Sequence, residues 1–392
     1  MDNILIVSDF PDVQYKKDSG TPAFRLIIEA LAKKYQVHII APDGEEESNG
    51  NIYYHRIPVT PFINSNSRIL NNINKKIFWF TFVRKAHELS MKLNKQYDFK
   101  IVYGAGCNSV YAASYIGRYF DIPSVGRLFG TYLLPFLNHP VSLMLRFDEV
   151  LAFKSQCSEF VITDDGTGGY EVAKYFKIPD NNIHFWRNGV DSPYCKKDYD
   201  DTIRVISMAR LDGWKHVERI IEAFSEVATG NMFLDIVGGG PEENNLKELV
   251  NDLELNNVVF HGEVPRKRAL ELLTNADIFI STNDYSNISN SLMEAMACGK
   301  GVIALNTGKT SDMIDGNNGL LVDDEFELGN AIKKMCDKET RMFFGYKAKK
   351  YASDHFESWD VRIQKEVDLC KKLIFTCSVY KLIPDDLKRR IR

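Results

Sequence analysis

Short apolar segments alternate with helical patterns along most of the chain, and this alternation restricts the possible folds more than any other feature. In the second half the apolar segments are 204–208, 233–237, 258–260, 278–280, 302–305 and 319–322. Loops rich in glycine or charge follow these segments, and most lead into a helical pattern. Such repetition predicts a parallel sheet with helices on both faces. The carboxyl ends of parallel strands share one edge, so the loops should meet there.

The first half repeats the pattern less regularly. Strands are predicted at 4–7, 37–41, 52–57, 100–103, 124–129, 160–163 and 183–186, with a helix at about 21–33. A polar, charged stretch then follows Asn188-Gly189-Val190-Asp191, which is typical of a linker. We therefore predict an α/β protein with two Rossmann-like, doubly wound domains, residues 1–197 and 198–354.

Composition excludes several classes of protein. A net charge of −4 over 392 residues gives no signature of nucleic-acid binding, and seven scattered cysteines suggest neither disulfides nor a zinc site. The amino terminus lacks the basic and small-residue regions of a signal peptide, and no apolar run of about 18 residues is present. We expect a cytoplasmic protein.

The segment 277–305 is the strongest candidate for a functional site. A buried strand leads into the polar loop Ser281–Asn290, and a short helix of small residues should begin near Asn290. The first turn of a helix presents backbone N–H groups and a positive dipole end, which suit a phosphate. Glu294 lies one turn inside this helix. It either accepts hydrogen bonds in a cleft or faces solvent on an amphipathic helix.

Two cations fall in the loop after the strand at 204–208. Arg210 and Lys215 should lie at the same sheet edge as Glu294, where both charges suit a diphosphate. Alternatively, both are solvated residues beside the start of a helix. Gly238–Gly240 and Gly20 are each either ligand-approach glycines or ordinary turn residues.

A third feature is the basic, aromatic segment Ile69–Lys95. Its lysines alternate with phenylalanine, tryptophan and isoleucine. The segment either lies at a membrane interface or packs its aromatic residues on the sheet with its lysines solvated. The basic tail 383–392 is likewise either a membrane contact or a frayed terminus.

Together these motifs resemble the retaining GT-B glycosyltransferases of family 4 along essentially the whole chain. The matching stretches, in the order and spacing of that family, are NGVD, ARLDGWKHVERIIEAF, DIVGGGP, VVFHGEV, ADIFIST, LMEAMACGKGVIAL and HFESWDVRIQKEV. The resemblance implies a GT-B fold, with an acceptor domain and a donor domain facing a central cleft. It also implies that helices in residues 355–392 cross back to the first domain.

The resemblance also implies residue roles. Arg210 and Lys215 would bind the donor diphosphate, Glu294 the ribose hydroxyls and the backbone near Val264 the base. The predicted catalytic residues are Arg210, Lys215 and Glu294, and the predicted donor-binding residues are Gly20, Thr21, Gly239, Val264, Ser286, Asn287, Ser289, Asn290 and Ser291. The family keeps the anomeric configuration and is usually metal-independent, so we expect no cofactor.

Three positions depart from the family. Ser286 stands where the first glutamate of an E-x7-E pair contacts the transferred sugar, which leaves that contact to neighbours such as Asn287 or Asn290. Gly301 replaces a proline, and Phe129 replaces a histidine.

The function predicted from the resemblance is transfer of a sugar from a nucleotide-sugar donor to a glycan or lipid-linked acceptor, as in surface polysaccharide assembly. A nucleotide-sugar epimerase or phosphorylase on the same architecture is a second hypothesis. A non-catalytic nucleotide- or glycan-binding partner of another transferase is a third, and Ser286 motivates it.

Overall fold

The computed structural model describes residues 1–9, 22–42, 46–59, 68–191 and 202–382. Gly20 and Thr21 of the predicted site, and the basic tail 383–392, lie outside the described residues. In the part of the chain that is described, no helix is both long enough and apolar enough to cross a bilayer.

The described strands and helices confirm the predicted alternation. The strands are β1 (Asn3–Ser8), β2 (Gln36–Ala41), β3 (Glu47–Asn49), β4 (Ile52–Arg56), β5 (Phe99–Ala105), β6 (Ser124–Leu128), β7 (Glu159–Thr163), β8 (Ile183–Trp186), β9 (Ile203–Met208), β10 (Met232–Val237), β11 (Val258–Gly262), β12 (Ile278–Ser281), β13 (Gly301–Leu305) and β14 (Leu320–Val322). The helices are α1 (Pro22–Ala32), α2 (Arg68–Tyr97), α3 (Cys107–Phe120), α4 (Pro140–Leu145), α5 (Phe147–Phe153), α6 (Gly169–Tyr175), α7 (Val217–Val227), α8 (Glu243–Asp252), α9 (Arg266–Asn275), α10 (Asn290–Ala297), α11 (Leu328–Cys336), α12 (Lys338–His355) and α13 (Trp359–Leu382). The ends of the predicted strands fall within two residues of the observed ones.

The chain forms two compact units. Among the described residues, the first comprises those within 1–164, 169–186 and 360–382, and the second comprises those within 165–168 and 187–359. The predicted boundary at 197/198 lies outside the described residues, and the predicted boundary at 354/355 precedes the observed division at 359/360. Hydrogen bonds from the Val190 N–H to the Glu357 carbonyl (2.9 Å) and from the Trp359 N–H to Asp191 Oδ1 (3.3 Å) explain why 187–191 and the start of α13 belong to the second unit.

The first unit contains an eight-stranded sheet in the order β3-β4-β2-β1-β5-β6-β7-β8. All neighbours are parallel except β3, which pairs antiparallel with β4 through a turn at Gly50, where φ is +58°. Because β3 is short, polar and exposed, it has no apolar alternation that would have revealed it. Apolar residues of α13, including Val367 and Ile374, pack in the same core as Ile4 and Ile6 of β1.

A charged cluster lies within the core of the first unit. Glu366 of α13 accepts from Arg362 Nη2 (2.7 Å) and lies 3.3 Å from Arg127 Nε of β6. The Tyr103 hydroxyl of β5 donates to the other oxygen of the Glu366 carboxylate. All four residues are at most 1% exposed. The carboxylate thus joins α13 to two strands of the sheet at a place where unpaired charge is costly.

The second unit contains six parallel strands in the order β11-β10-β9-β12-β13-β14. Its helices bury apolar faces on both sides of this sheet. Ile220 and Phe224 of α7 lie in one core cluster, and Leu292 and Met296 of α10 lie in another. This arrangement brings the loops that carry the predicted site residues to one edge.

Candidate functional site

The loops at the carboxyl edge of the six-stranded sheet are hydrogen-bonded to one another. The Leu211 N–H, after β9, donates to the carbonyl of Gly239, after β10 (3.0 Å). The Gly238 N–H donates to the Gly262 carbonyl at the end of β11 (2.9 Å). The Thr282 hydroxyl, after β12, donates to the His216 carbonyl (2.8 Å). The loops therefore lie together at this edge of the sheet, as predicted.

The glycine run after β10 is explained by close packing. Gly238 has a φ of +132°, and a Cβ on it would lie 1.9 Å from the Ala209 carbonyl oxygen. A Cβ on Gly240 would lie 2.4 Å from the Leu211 carbonyl oxygen. Gly239 meets only ordinary contacts at 3.5 Å and beyond. The lack of a side chain at Gly238 and Gly240 thus allows the loop after β9 to pack directly against the glycine run. Packing does not require a glycine at position 239.

Arg210 and Lys215 lie in very different surroundings. The side chain of Arg210 is 73% exposed, with its Nε 3.2 Å from Asp212 Oδ2. Lys215 is half-buried, and its Nζ lies 3.9 Å from the centroid of the Trp214 ring. Burial lowers the pKa of Lys215 to about 8, although the charges of Asp212 and Asp165 oppose this shift. The alternative of a solvated surface cation fits Arg210 but not Lys215.

His216, which the sequence analysis missed, holds the Lys215 loop in place. Its Nε2 lies 2.8 Å from Asp284 Oδ2, its Nδ1 lies 2.5 Å from Glu218 Oε1, and its φ is +49°. Burial opposes the charged ring, but these two carboxylates prevail and raise the pKa of His216. The imidazole therefore ties the start of α7 to the loop after β12. A histidine beside the candidate lysine was the available signal.

Glu294 is buried, so the alternative of a surface glutamate is wrong. It is 7% exposed, and its Oε1 lies 2.8 Å from Arg266 Nη2. Burial raises the pKa of Glu294, and the guanidinium of Arg266 opposes that rise. Arg266 was not predicted as a site residue; it is the first residue of α9 and follows Val264 and Pro265 of the loop after β11. Its place just beyond a strand end was the signal.

The start of α10 is capped by its own sequence. The Ser289 hydroxyl accepts from the Leu292 N–H (3.1 Å), which satisfies one of the N–H groups expected to face a ligand. Asn290 Oδ1 accepts from Asn188 Nδ2 (3.0 Å), and Ser291 is half-buried. These contacts connect the NGVD segment with the first turn of the helix.

Asn287 was predicted to contact the donor, but its side chain lies inside the protein. Its side chain is fully buried, and its Oδ1 accepts from the Ser281 hydroxyl (2.6 Å) and the Asn283 N–H (2.9 Å). Its Nδ2 donates to the Leu305 carbonyl (2.7 Å) and to the Thr307 hydroxyl (3.0 Å). With both polar atoms used inside the protein, Asn287 shapes the loop and is not oriented to contact a sugar.

Within the residues that the structure describes, no group of three or more His, Cys, Asp or Glu side chains is arranged to hold a metal ion. The polar groups present at the sheet edge are instead a half-buried ammonium, an exposed guanidinium, and a buried carboxylate paired with a second guanidinium. This set suits an anionic ligand that also carries hydroxyl groups.

Comparison with known proteins identifies the second unit. Residues 196–351 match the sequence profile of the family described as glycosyl transferases group 1. The matched residues cover less than half of the chain, and all of them lie within the second unit. The chain is 29% identical over 187 residues to a glycosyltransferase of Methanocaldococcus jannaschii, covering 46% of this chain and 47% of that protein. It is 26% identical over 205 residues to the N-acetyl-alpha-D-glucosaminyl L-malate synthase of Bacillus anthracis, covering 50% and 52%. The chain thus spans about half the length of these relatives.

Solved glycosyltransferase structures extend the likeness to both units. Sucrose-phosphate synthase from Thermosynechococcus elongatus has a TM-score of 0.76 at 16% identity, covering 96% of this chain and all of that one. HepE from Anabaena, in complex with UDP and glucose, has a TM-score of 0.66 at 18% identity, covering 94% and 99%. The segment that matches the family profile therefore lies in the second α/β unit of a GT-B fold, and the predicted fold is confirmed.

Proposed function

We propose that this protein is a retaining glycosyltransferase that transfers a sugar from a nucleotide-sugar donor to a glycan or lipid-linked acceptor in surface polysaccharide or glycoconjugate synthesis. The observation that supports this most is the half-buried Lys215 on a loop hydrogen-bonded to the other loops of the same sheet edge, within a group 1 glycosyltransferase domain. One solved relative of the same fold was crystallised with UDP-glucose.

Each group has a proposed role in holding the donor. Lys215 and Arg210 bind the diphosphate and stabilise its charge as the bond to the sugar breaks. Glu294, held by Arg266, accepts from the ribose hydroxyls. The backbone near Val264 contacts the base.

Other residues complete the proposed donor site. Ser289, Asn290 and Ser291 shape the first turn of α10 beside the phosphates, and Gly239 leaves space after β10. Gly20 and Thr21 remain predicted donor contacts.

The reaction is proposed to need no metal ion, because the two cations can neutralise the leaving nucleoside diphosphate. Turnover should therefore persist when a chelator is added. A loss of turnover on chelation that Mg²⁺ or Mn²⁺ restores would overturn this part of the proposal.

The donor site is tested by thermal stabilisation with a panel of nucleoside diphosphates. At least one should raise the melting temperature of the native protein, because a ligand that binds the folded state stabilises it. The effect should shrink in Lys215→Ala and persist in Lys247→Ala, a control lysine on the exposed side of α8. Equal stabilisation of all three proteins would remove Lys215 from the site.

A non-catalytic role as the nucleotide- or glycan-binding partner of another transferase is the second candidate. Ser286 favours it, because no carboxylate stands at the position where the family contacts the transferred sugar. Such a partner would bind a nucleotide sugar without turnover. An epimerase would convert the donor without an acceptor, and a phosphorylase would use inorganic phosphate.

We also propose that the protein works in the cytoplasm with a peripheral contact to the inner face of a membrane through α2. This helix has both buried and exposed apolar residues. Phe82 is buried in the core, whereas Leu70, Ile73, Ile77 and Phe80 are 47–61% exposed. These four are spaced as one helical stripe, and Arg84 continues this stripe one turn beyond Phe80. Apolar and basic groups on one exposed face suit an anionic bilayer.

The double variant Ile77→Ser, Phe80→Ser should bind vesicles of mixed neutral and anionic lipid at least about tenfold more weakly, because two apolar side chains no longer enter the interface. Co-sedimentation with vesicles measures this. The control is Tyr346→Ser, an exposed aromatic residue of α12 in the other unit. Undiminished binding of the α2 variant would contradict the proposed contact.

A further inference from the structure

The segment Asp165–Gly168 connects β7 to α6 of the first unit, yet it groups with the second unit. The Lys309 N–H donates to the Gly166 carbonyl (3.0 Å). Gly166 has a φ of +77°, and a Cβ on it would lie 2.3 Å from Ser286 Oγ. A Cβ on Gly308 would lie 2.8 Å from the Gly166 carbonyl oxygen. The segment is therefore packed tightly against the loops that follow β12 and β13.

This packing places Asp165 beside the loop that follows β12. Asp165 Oδ1 accepts from the Thr167 hydroxyl (2.6 Å) and from the Thr167 N–H (3.1 Å), which orient the group. A Cβ on Gly308 would lie 2.1 Å from the Tyr285 carbonyl oxygen, the Tyr285 ring lies 5.8 Å from the Trp214 ring, and the Lys215 Nζ lies over that same Trp214 ring. The negative charge of Asp165 opposes the lowering of the Lys215 pKa by burial. Asp165 thus lies near the residue proposed to hold the diphosphate.

Position 286 cannot provide this carboxylate. The Ser286 hydroxyl accepts from the Ile288 N–H (3.1 Å), and the residue is only 7% exposed. Because Gly166 lies directly against Ser286, a longer side chain at position 286 would displace the segment Asp165–Gly168. Ser286 and the Asp165–Gly168 segment therefore fit each other.

We propose that Asp165 contacts the sugar of the donor, and that its carboxylate accepts hydrogen bonds from hydroxyl groups of the sugar whose diphosphate is bound at Lys215. The inference rests on the proposed glycosyltransferase function and makes that function more specific. A carboxylate at this place selects a neutral sugar with free hydroxyls and repels an acidic sugar. The donor is therefore a nucleotide-linked neutral hexose or N-acetylhexosamine rather than a uronic acid.

The test compares native protein with Asp165→Asn in two measurements. The kcat/KM for the preferred nucleotide sugar should fall about tenfold to a hundredfold, since a charge-assisted hydrogen bond to the sugar is weakened. The affinity for the matching nucleoside diphosphate should stay equal or increase, because a negative charge near the phosphates is removed. Asp164→Asn, at the neighbouring carboxylate of the first unit, is the matched control and should change neither value.

Two outcomes would overturn the inference. Unchanged kcat/KM in Asp165→Asn would mean that the carboxylate does not contact the sugar. A parallel loss of nucleoside diphosphate affinity would mean that Asp165 only supports the loop. If Lys215→Ala weakens diphosphate binding while Asp165→Asn changes nothing, this inference alone fails. If native protein binds no nucleoside diphosphate, the proposed function fails with it.

Discussion

Replacing Lys215 with alanine is expected to lower kcat/KM for the nucleotide sugar by about 100- to 1,000-fold. The half-buried ammonium is proposed to neutralise charge that grows on the departing diphosphate, and losing one such preorganised group typically costs that much. Steady-state kinetics of purified protein measures the effect. Lys247→Ala should retain native turnover, and a Lys215→Ala enzyme with native kcat/KM would contradict the assignment.

The same lysine predicts a pH dependence. Because burial lowers the pKa of Lys215 to about 8, its ammonium form predominates below that pH and is lost above it. The kcat/KM of the native enzyme should therefore fall as the pH rises through about 8. Lys215→Arg, whose guanidinium stays charged, should lack this decline even if its turnover is low. Native and Lys215→Arg profiles that decline together would assign the titration to another group.

Glu366→Gln is expected to destabilise the first unit by about 3–5 kcal/mol. The substitution leaves the buried guanidinium groups of Arg127 and Arg362 without the carboxylate that they share, and removing one partner of a buried ion pair costs about that much. Such a loss is a large part of the stability of a typical domain. Urea unfolding followed by circular dichroism measures the shift.

A matched control lies two positions further along the same helix. Asp368 is exposed and accepts from Gln364 Nε2 (2.8 Å), so Asp368→Asn should hardly move the unfolding midpoint. Equal midpoints for Glu366→Gln and the native protein would show that the buried cluster contributes little to stability.

The fold was predictable from the sequence because parallel strands buried on both faces are short, apolar and followed by loops. β10, β12 and β13 have this character, and their predicted positions are confirmed. The exposed edge strand β3 lacks it and was missed. The resemblance of the motifs gave the GT-B architecture, which the solved relatives confirm.

The site was less predictable because the residues that contact one another there are far apart in the sequence. Whether Glu294 is buried depends on Arg266, and no local pattern connects the two residues. A polar loop residue such as Asn287 looks the same in sequence whether it faces a ligand or satisfies buried backbone groups. The grouping of Asp165–Gly168 with the second unit likewise depends on tertiary packing against Ser286.

The carboxyl edge of the second sheet is proposed to bind a nucleotide sugar and to break its bond to the diphosphate. The most direct measurement is release of nucleoside diphosphate by purified protein supplied with a panel of nucleotide sugars and a glycan or lipid-linked acceptor. We expect acceptor-dependent release from one neutral nucleotide sugar, with retention of the anomeric configuration in the product. Tight binding of a nucleotide sugar with no turnover for any acceptor would contradict the account and favour the non-catalytic partner.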